Sequence, residues 1–136
     1  RKAYEKRVTD KWRRALRHLQ INDNLFPNHK DDIQTHYPFN LYNAGAFAKG
    51  FQLVQLEKIV LEIIQFEVVN SCYHCKFKDI RDDEIYGTFH SDCRELIKQN
   101  RCRKGSVVVL KDVSVFRMSN GRYYLVMISK CIDRIC

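Results

Sequence analysis

Downstream of Gly50 the chain breaks into short runs dense in β-branched and aromatic residues, interrupted once by a helical stretch. That order constrains the fold most, because short strands cannot bury an apolar face alone and need a sheet that stacks or closes. Leu53 to Glu67 is the first extended run, although its length and its Leu and Glu content also allow a helical first half. Cys72 to Lys78 reads as a second strand, Arg81-Asp82-Asp83 as a turn, and Glu84 to His90 as a third strand. Ser91 or Asp92 then offers an N-cap, Glu95 sits in the first turn, and Leu96 and Ile97 supply an apolar contact before Lys98-Gln99-Asn100-Arg101 lead toward Gly105. Ser106 to Arg117 reads as a fourth strand and Arg122 to Ile132 as a fifth. Ser119-Asn120-Gly121 joins them as a hairpin turn, since Asn-Gly accepts the positive φ such turns require.

Three strands, a helix and two strands joined by a hairpin follow the order of an OB-fold, in which the helix plugs one end of a five-stranded barrel. Gly87, inside the third strand, fits a bend where a side chain would obstruct curvature. Upstream, Tyr4, Val8, Trp12, Ala15, Leu16 and Leu19 recur at helical spacing between Lys2 and Gln20, with Lys6, Arg13, Arg14 and Arg17 on other faces. Asn22-Asp23-Asn24 and Pro27 end this amphipathic helix, and the stretch to Gly50 reads as an irregular connection. The expected class is therefore mainly β. A five-stranded OB-fold barrel over residues 49–136 carries a helix between strands three and four, and residues 1–48 form the basic amphipathic helix and its connection. An isolated helix of this length is marginal in water, so the Trp12 stripe is expected to pack on the barrel.

Charge is segregated along the chain. Residues 1–20 carry a net +6, residues 21–89 a net −4, and residues 90–136 a net +6, which makes up the formal +8 of the whole. Clustered positive charge gains affinity for a polyanion by releasing counterions, so nucleic acid is the natural partner. An anionic membrane or an acidic protein competes for the role, and a basic face that merely keeps a protein soluble is the plain alternative. No apolar run reaches the roughly 18 residues of a membrane span, because Leu53 to Val69 is interrupted by Gln55, Glu57, Lys58, Glu62, Gln65 and Glu67. The chain opens on Arg1 with no signal-type apolar segment, and is read as a fragment of a longer protein.

Six cysteines, all in the second half and several at buried strand positions, argue for a reducing compartment, nuclear or cytosolic, rather than for a disulfide framework. Cys72-x-x-Cys75 and His90-x-x-Cys93 have the short spacings of a zinc site. A hairpin centred on Asp82-Asp83 would set Cys72 opposite Cys93 and Cys75 opposite His90. Residues three apart on a strand face opposite ways, however, so no metal and no other cofactor is expected.

A nucleic-acid surface needs aromatic faces for bases and Lys or Arg for phosphates. His74, Lys76 and Lys78 on the second strand, and Tyr86, Thr88 and His90 on the third, alternate outward or inward as sets. Arg117, Arg122 and Tyr124 flank the hairpin, and Lys98, Arg101, Arg103 and Lys104 follow the helix. Phe66, Phe89 and Phe116 read instead as core filling. No Gly-rich phosphate loop, Gly-x-Ser-x-Gly elbow or His-Glu-x-x-His is present, and Asp82-Asp83-Glu84 sits in a turn, so an enzyme is not expected.

Glu84-Ile85-Tyr86-Gly87-Thr88-Phe89-His90, the run Gly105-Ser106-Val107-Val108-Val109-Leu110-Lys111-Asp112-Val113-Ser114-Val115-Phe116, and Arg122-Tyr123-Tyr124-Leu125 occur in that order. Together they resemble the C-terminal OB domain of the homologous recombination OB-fold protein family, whose pattern has E-I-x-G-T-x-H, G-S-V-L-L-L-K-x-V-x-V-F and H-Y-L-N blocks. The chain departs from that pattern at Val126, where the family has Asn, and in its cysteines. The resemblance implies a nuclear, non-catalytic factor of recombinational repair that binds single-stranded DNA and works with an MCM-type helicase pair. A barrel of this kind also serves as a protein-interaction domain that docks a repair or replication partner without touching nucleic acid, and fold alone does not choose between the two.

Overall fold

In the computed structural model, residues 9–19, Leu41, Ala46 and residues 54–136 are described. The boundary expected at residues 48 and 49, and the upstream positions Tyr4 and Val8, lie outside them. Helix α1 runs Asp10–His18; Thr9 caps it by accepting from the Trp12 backbone N–H at 3.3 Å, and Asp10 at the start and Arg17 and His18 at the end complement its dipole. Strands follow at β1 (Val54–Val69), β2 (Cys72–Lys78) and β3 (Glu84–Phe89). After a single 3-10 turn, Ser91–Cys93, come helix α2 (Arg94–Gln99), β4 (Val107–Arg117), β5 (Tyr123–Met127) and β6 (Ile132–Ile135).

Hydrogen bonding runs in the order β1-β2-β3-β5-β4 and returns to β1, with β3 and β5 parallel and the other pairs antiparallel. The sheet is thus a closed five-stranded barrel, with α2 between β3 and β4 as the sequence order demands. Closure depends on the length of β1. Its first half, Val54 to Glu62, pairs with β4, its second half with β2, and the register slips between Ile63 and Gln65 where the strand turns from one to the other. At that corner Ile63 donates to the Ser106 carbonyl at 2.9 Å and accepts from the Gly105 N–H at 2.8 Å. All of β1 is extended, so its first half is not helical.

Alternation fills the lumen with Leu56, Ile59, Leu61, Phe77, Ile85, Phe89, Val108, Leu110, Val113, Val115, Leu125 and Met127, closed at one end by Cys93 and Ile97. Gly87 points into this lumen; an added Cβ would stand 2.8 Å from Phe77, so the position lacks space rather than needing an unusual backbone. The wall formed by β1 and β4 is buried on both faces. Val60, Val107 and Val109 face outward and are covered by Trp12, Ala15 and Leu16 of α1, which explains the unbroken apolar run Val107 to Leu110. The Trp12 stripe therefore packs on its own barrel.

Three details differ from the sequence expectation. The fifth strand stops at Met127, because the Asp92 carboxylate accepts from the Ser129 N–H and Oγ at 3.1 and 3.3 Å and turns the chain back. That reversal creates β6, a sixth strand, which extends β4 beside Val108 to Leu110. His90 rather than Ser91 or Asp92 caps the turn into α2, its Nδ1 accepting from the Asp92 N–H at 3.1 Å, so β3 ends at Phe89. The hairpin between β2 and β3 is also shifted from a centre on Asp82-Asp83: Cys75 lies opposite Gly87 and Tyr73 opposite Phe89. Asp79 sets this register. Fully buried, it accepts from the N–H groups of Arg81 at 2.8 Å and Asp83 at 3.0 Å, which draws the turn back to residues 79–83.

Candidate nucleic-acid interface

On the outer face of β2, β3 and β5 the register aligns side chains in rows across the strands. One row runs Lys76, Tyr86, Tyr124 and Phe116; the next runs His74, Thr88, Val126 and Ser114. The inner alternation of the same strands is buried, so these rows face outward. Tyr86 and Tyr124 lie with ring centroids 5.8 Å apart and planes inclined by 32°. Lys76 Nζ stands 5.5 Å and the Arg122 guanidinium 5.1 Å from the Tyr86 ring centre. Aromatic faces flanked by cations are what stacked bases and their phosphates require.

Local chemistry fixes the cations. Lys76 Nζ pairs with Glu84 Oε1 at 2.9 Å, and that hydrogen-bonded carboxylate holds the ammonium above its usual range. Lys78 reaches Asp82 at 3.8 Å across the turn. Arg117 lies 5.8 Å from the Tyr123 ring, and Arg122 is held by the hairpin, whose Asn120 Oδ1 accepts from its N–H at 2.9 Å while Gly121 takes φ +84°.

Of the residues expected from sequence, His74, Lys76, Lys78, Tyr86, Arg122 and Tyr124 share this face, with Arg117 at its edge. His90 lies past the end of β3 as a helix cap. Lys98 borders a separate cavity with Val68, Ser71, Tyr73 and Arg94, at the end holding the β1–β2 turn and α2. Arg101, Arg103 and Lys104 are exposed on the loop anchored to Ile63, on the wall carrying α1.

Sequence reasoning assigned Phe116 to the core, but Val113 and Val115 take the inward alternation, leaving Phe116 outside and 41% exposed beside Tyr124. Phe89 is fully buried, and Phe66, half-buried, stacks on Tyr73 at 5.4 Å. Met118, Val126 and Ile128 are likewise exposed, and with Arg94 they went unrecognised in the sequence. The alternation set by Val113 and Val115 is the signal that locates Phe116.

The cysteines follow the strands. Cys75 points into the lumen while Cys72 lies on the other alternation, and Cys93 belongs to the turn beyond β3. No three His, Cys, Asp or Glu side chains gather to share a metal ion among the described residues. Burial pushes the Cys75 thiol far up, Cys93 up to about 12 and Cys102 up to about 11, leaving poor nucleophiles. Among the described residues no helix is long and apolar enough to cross a membrane.

Comparison with known proteins bears on the barrel. The p204 HINb domain is similar in fold, with a TM-score of 0.52 at 11% identity, over 80% of this chain and 49% of that one. The tetrameric p202 HIN2 gives 0.49 at 8% identity over 64% of this chain and 43% of that one. Schizosaccharomyces pombe Pot1pC bound to ssDNA gives 0.45 at 11% identity over 61% and 73%. The chain thus spans about half the length or less of the HIN chains it resembles. No curated protein sequence matches it. The model of the family described as homologous recombination OB-fold protein matches residues 55–136, which is β1 through β6. On that match over more than half its length, the chain belongs to the homologous recombination OB-fold protein family.

Proposed function

We propose that the barrel binds single-stranded DNA across the outer face of β2, β3 and β5, as a non-catalytic module of recombinational repair. The observation that carries this is the Tyr86–Tyr124 pair, half-buried on the outer face of the sheet between Lys76 and Arg122. Bases stack on the two rings and Phe116, while Lys76, Lys78, Arg117 and Arg122 take the phosphates. Arg94 and Lys98 at one end of the barrel extend the path for a longer strand. Family membership supports the recombination role, and the proposal includes a nuclear location and an MCM-type helicase as partner. The test is a titration of a labelled oligonucleotide at rising salt. Steep loss of affinity with salt supports the proposal, and no binding at low salt overturns it.

A second reading has the same face dock a protein partner, without nucleic acid. The exposure of Phe116, Met118, Val126 and Ile128 favours it, since apolar anchors dominate protein interfaces. The same titration separates the two.

A further inference from the structure

We propose that the cleft between α1 and β6 is a second phosphate site, which holds a separate nucleic-acid segment and so lets one chain bridge two strands. This rests on the nucleic-acid reading of the aromatic face. Arg14 and Arg17 of α1 and Arg134 of β6 line the cleft together with His18. The three guanidinium groups arrive from elements far apart in sequence. Burial of Trp12, Ala15 and Leu16 against the barrel holds their helix in place. His18 Nε2 lies 3.0 Å from Asp133 Oδ2, tying the end of α1 to β6 and engaging the carboxylate next to Arg134 in the chain.

Guanidinium forks match the paired oxygens of a phosphodiester and stay charged at any working pH. An acidic protein is the competing occupant. The large exposed apolar residues among those described lie elsewhere, at Val68 and Val69 or on and beside the wall of β4 and β5. The cleft therefore lacks the apolar anchors of a protein interface, which favours phosphate.

Position makes the site a second one. Helix α1 covers the Val107 to Val109 end of β4, while Phe116 of the aromatic face lies seven residues on from Val109. At about 3.3 Å per residue that is roughly 23 Å along the strand. The closed order β1-β2-β3-β5-β4 also sets β3, which carries Tyr86, across the barrel from the wall under α1. A short oligonucleotide on one site leaves the other open.

The experiment is a stoichiometric titration, by calorimetry at low salt, of the whole chain with an oligonucleotide of about six deoxythymidines, within the roughly 4–16 nucleotides one such barrel covers. Two equivalents per chain are expected for the wild type. One is expected for Arg14→Glu/Arg134→Glu, with an unchanged melting curve because both side chains are exposed, and one for Tyr86→Ala/Tyr124→Ala, with cooperative unfolding retained because the half-buried rings lie on the outer face. Energy transfer between two differently labelled oligonucleotides should appear with the wild type and vanish with either double variant. One equivalent for the wild type overturns the second site, as do two equivalents retained by Arg14→Glu/Arg134→Glu. If the wild type binds one equivalent that Tyr86→Ala/Tyr124→Ala abolishes, the second site fails while the aromatic face stands. If the wild type binds one equivalent that only Arg14→Glu/Arg134→Glu abolishes, the cleft is the sole site, which overturns both the bridging of two strands and the aromatic face. Capture of an acidic peptide in place of the oligonucleotide would assign the cleft to protein and overturn the proposal.

Discussion

The indole Nε1 of Trp12 donates a 2.8 Å hydrogen bond to Oε1 of Glu62, so the N-terminal helix is pinned to β1 at the residue where that strand passes from β4 to β2. Trp12 is fully buried there, over Val60, Val107 and Val109. Trp12→Ala is expected to destabilise the chain by about 3–5 kcal/mol, as aromatic truncations in cores do. Trp12→Phe keeps most of the packing and loses the bond, a smaller loss of about 1–3 kcal/mol. Melting curves of both check this, and an alanine variant that superimposes on wild type would show that α1 does not belong to the core.

Gly87 offers a test of the lumen. An added Cβ would meet Phe77 at 2.8 Å, Met127 at 3.0 Å and Leu125 at 3.1 Å, three side chains already packed. Gly87→Ala should therefore destabilise by about 1–3 kcal/mol through overpacking. Urea unfolding measures it, and an alanine variant as stable as wild type would mean that the lumen has room.

Asp79 ties the β2–β3 turn to a distant segment, since its Oδ2 accepts from the Leu41 N–H at 2.8 Å. Burial raises its carboxyl above the usual range, against the backbone N–H groups that pull it down. The folded chain thus holds that proton more tightly than the unfolded one. The contribution is fully present below the unfolded value, near about 3.9, and is lost as pH rises through the higher folded value. Asp79→Asn removes this titration and sets an amide against one of the backbone donors, a loss of about 1–3 kcal/mol. The stability gap to wild type should be widest in acid and narrow toward neutrality. A gap that widens with rising pH in urea unfolding would contradict the assignment.

The barrel was legible because strands such as Cys72 to Lys78 carry their own alternation and Asn120-Gly121 marks its own turn. The return through Ser129–Cys131 into β6 was not, because it depends on Asp92, 37 residues upstream, and leaves no local mark. The same is true of the β2–β3 register, which Asp79 sets by accepting from its own turn. The aromatic pair was partly legible: Tyr86 and Tyr124 stand out as residues, but their adjacency comes from the parallel pairing of β3 with β5, which no local pattern encodes.

Tyr86→Ala tests the central claim most directly, read as affinity for a labelled single-stranded oligonucleotide across a salt series, with melting curves alongside. Stacking on one ring is worth about 1–3 kcal/mol, so the substitution should weaken binding roughly 5- to 150-fold at every salt concentration. It should leave the salt slope unchanged, because Tyr86 carries no charge, and lower the melting temperature only slightly, because the half-buried ring lies on the outer face. Affinity within twofold of wild type, or no binding by the wild type even at low salt, would contradict a nucleic-acid surface built on Tyr86 and Tyr124.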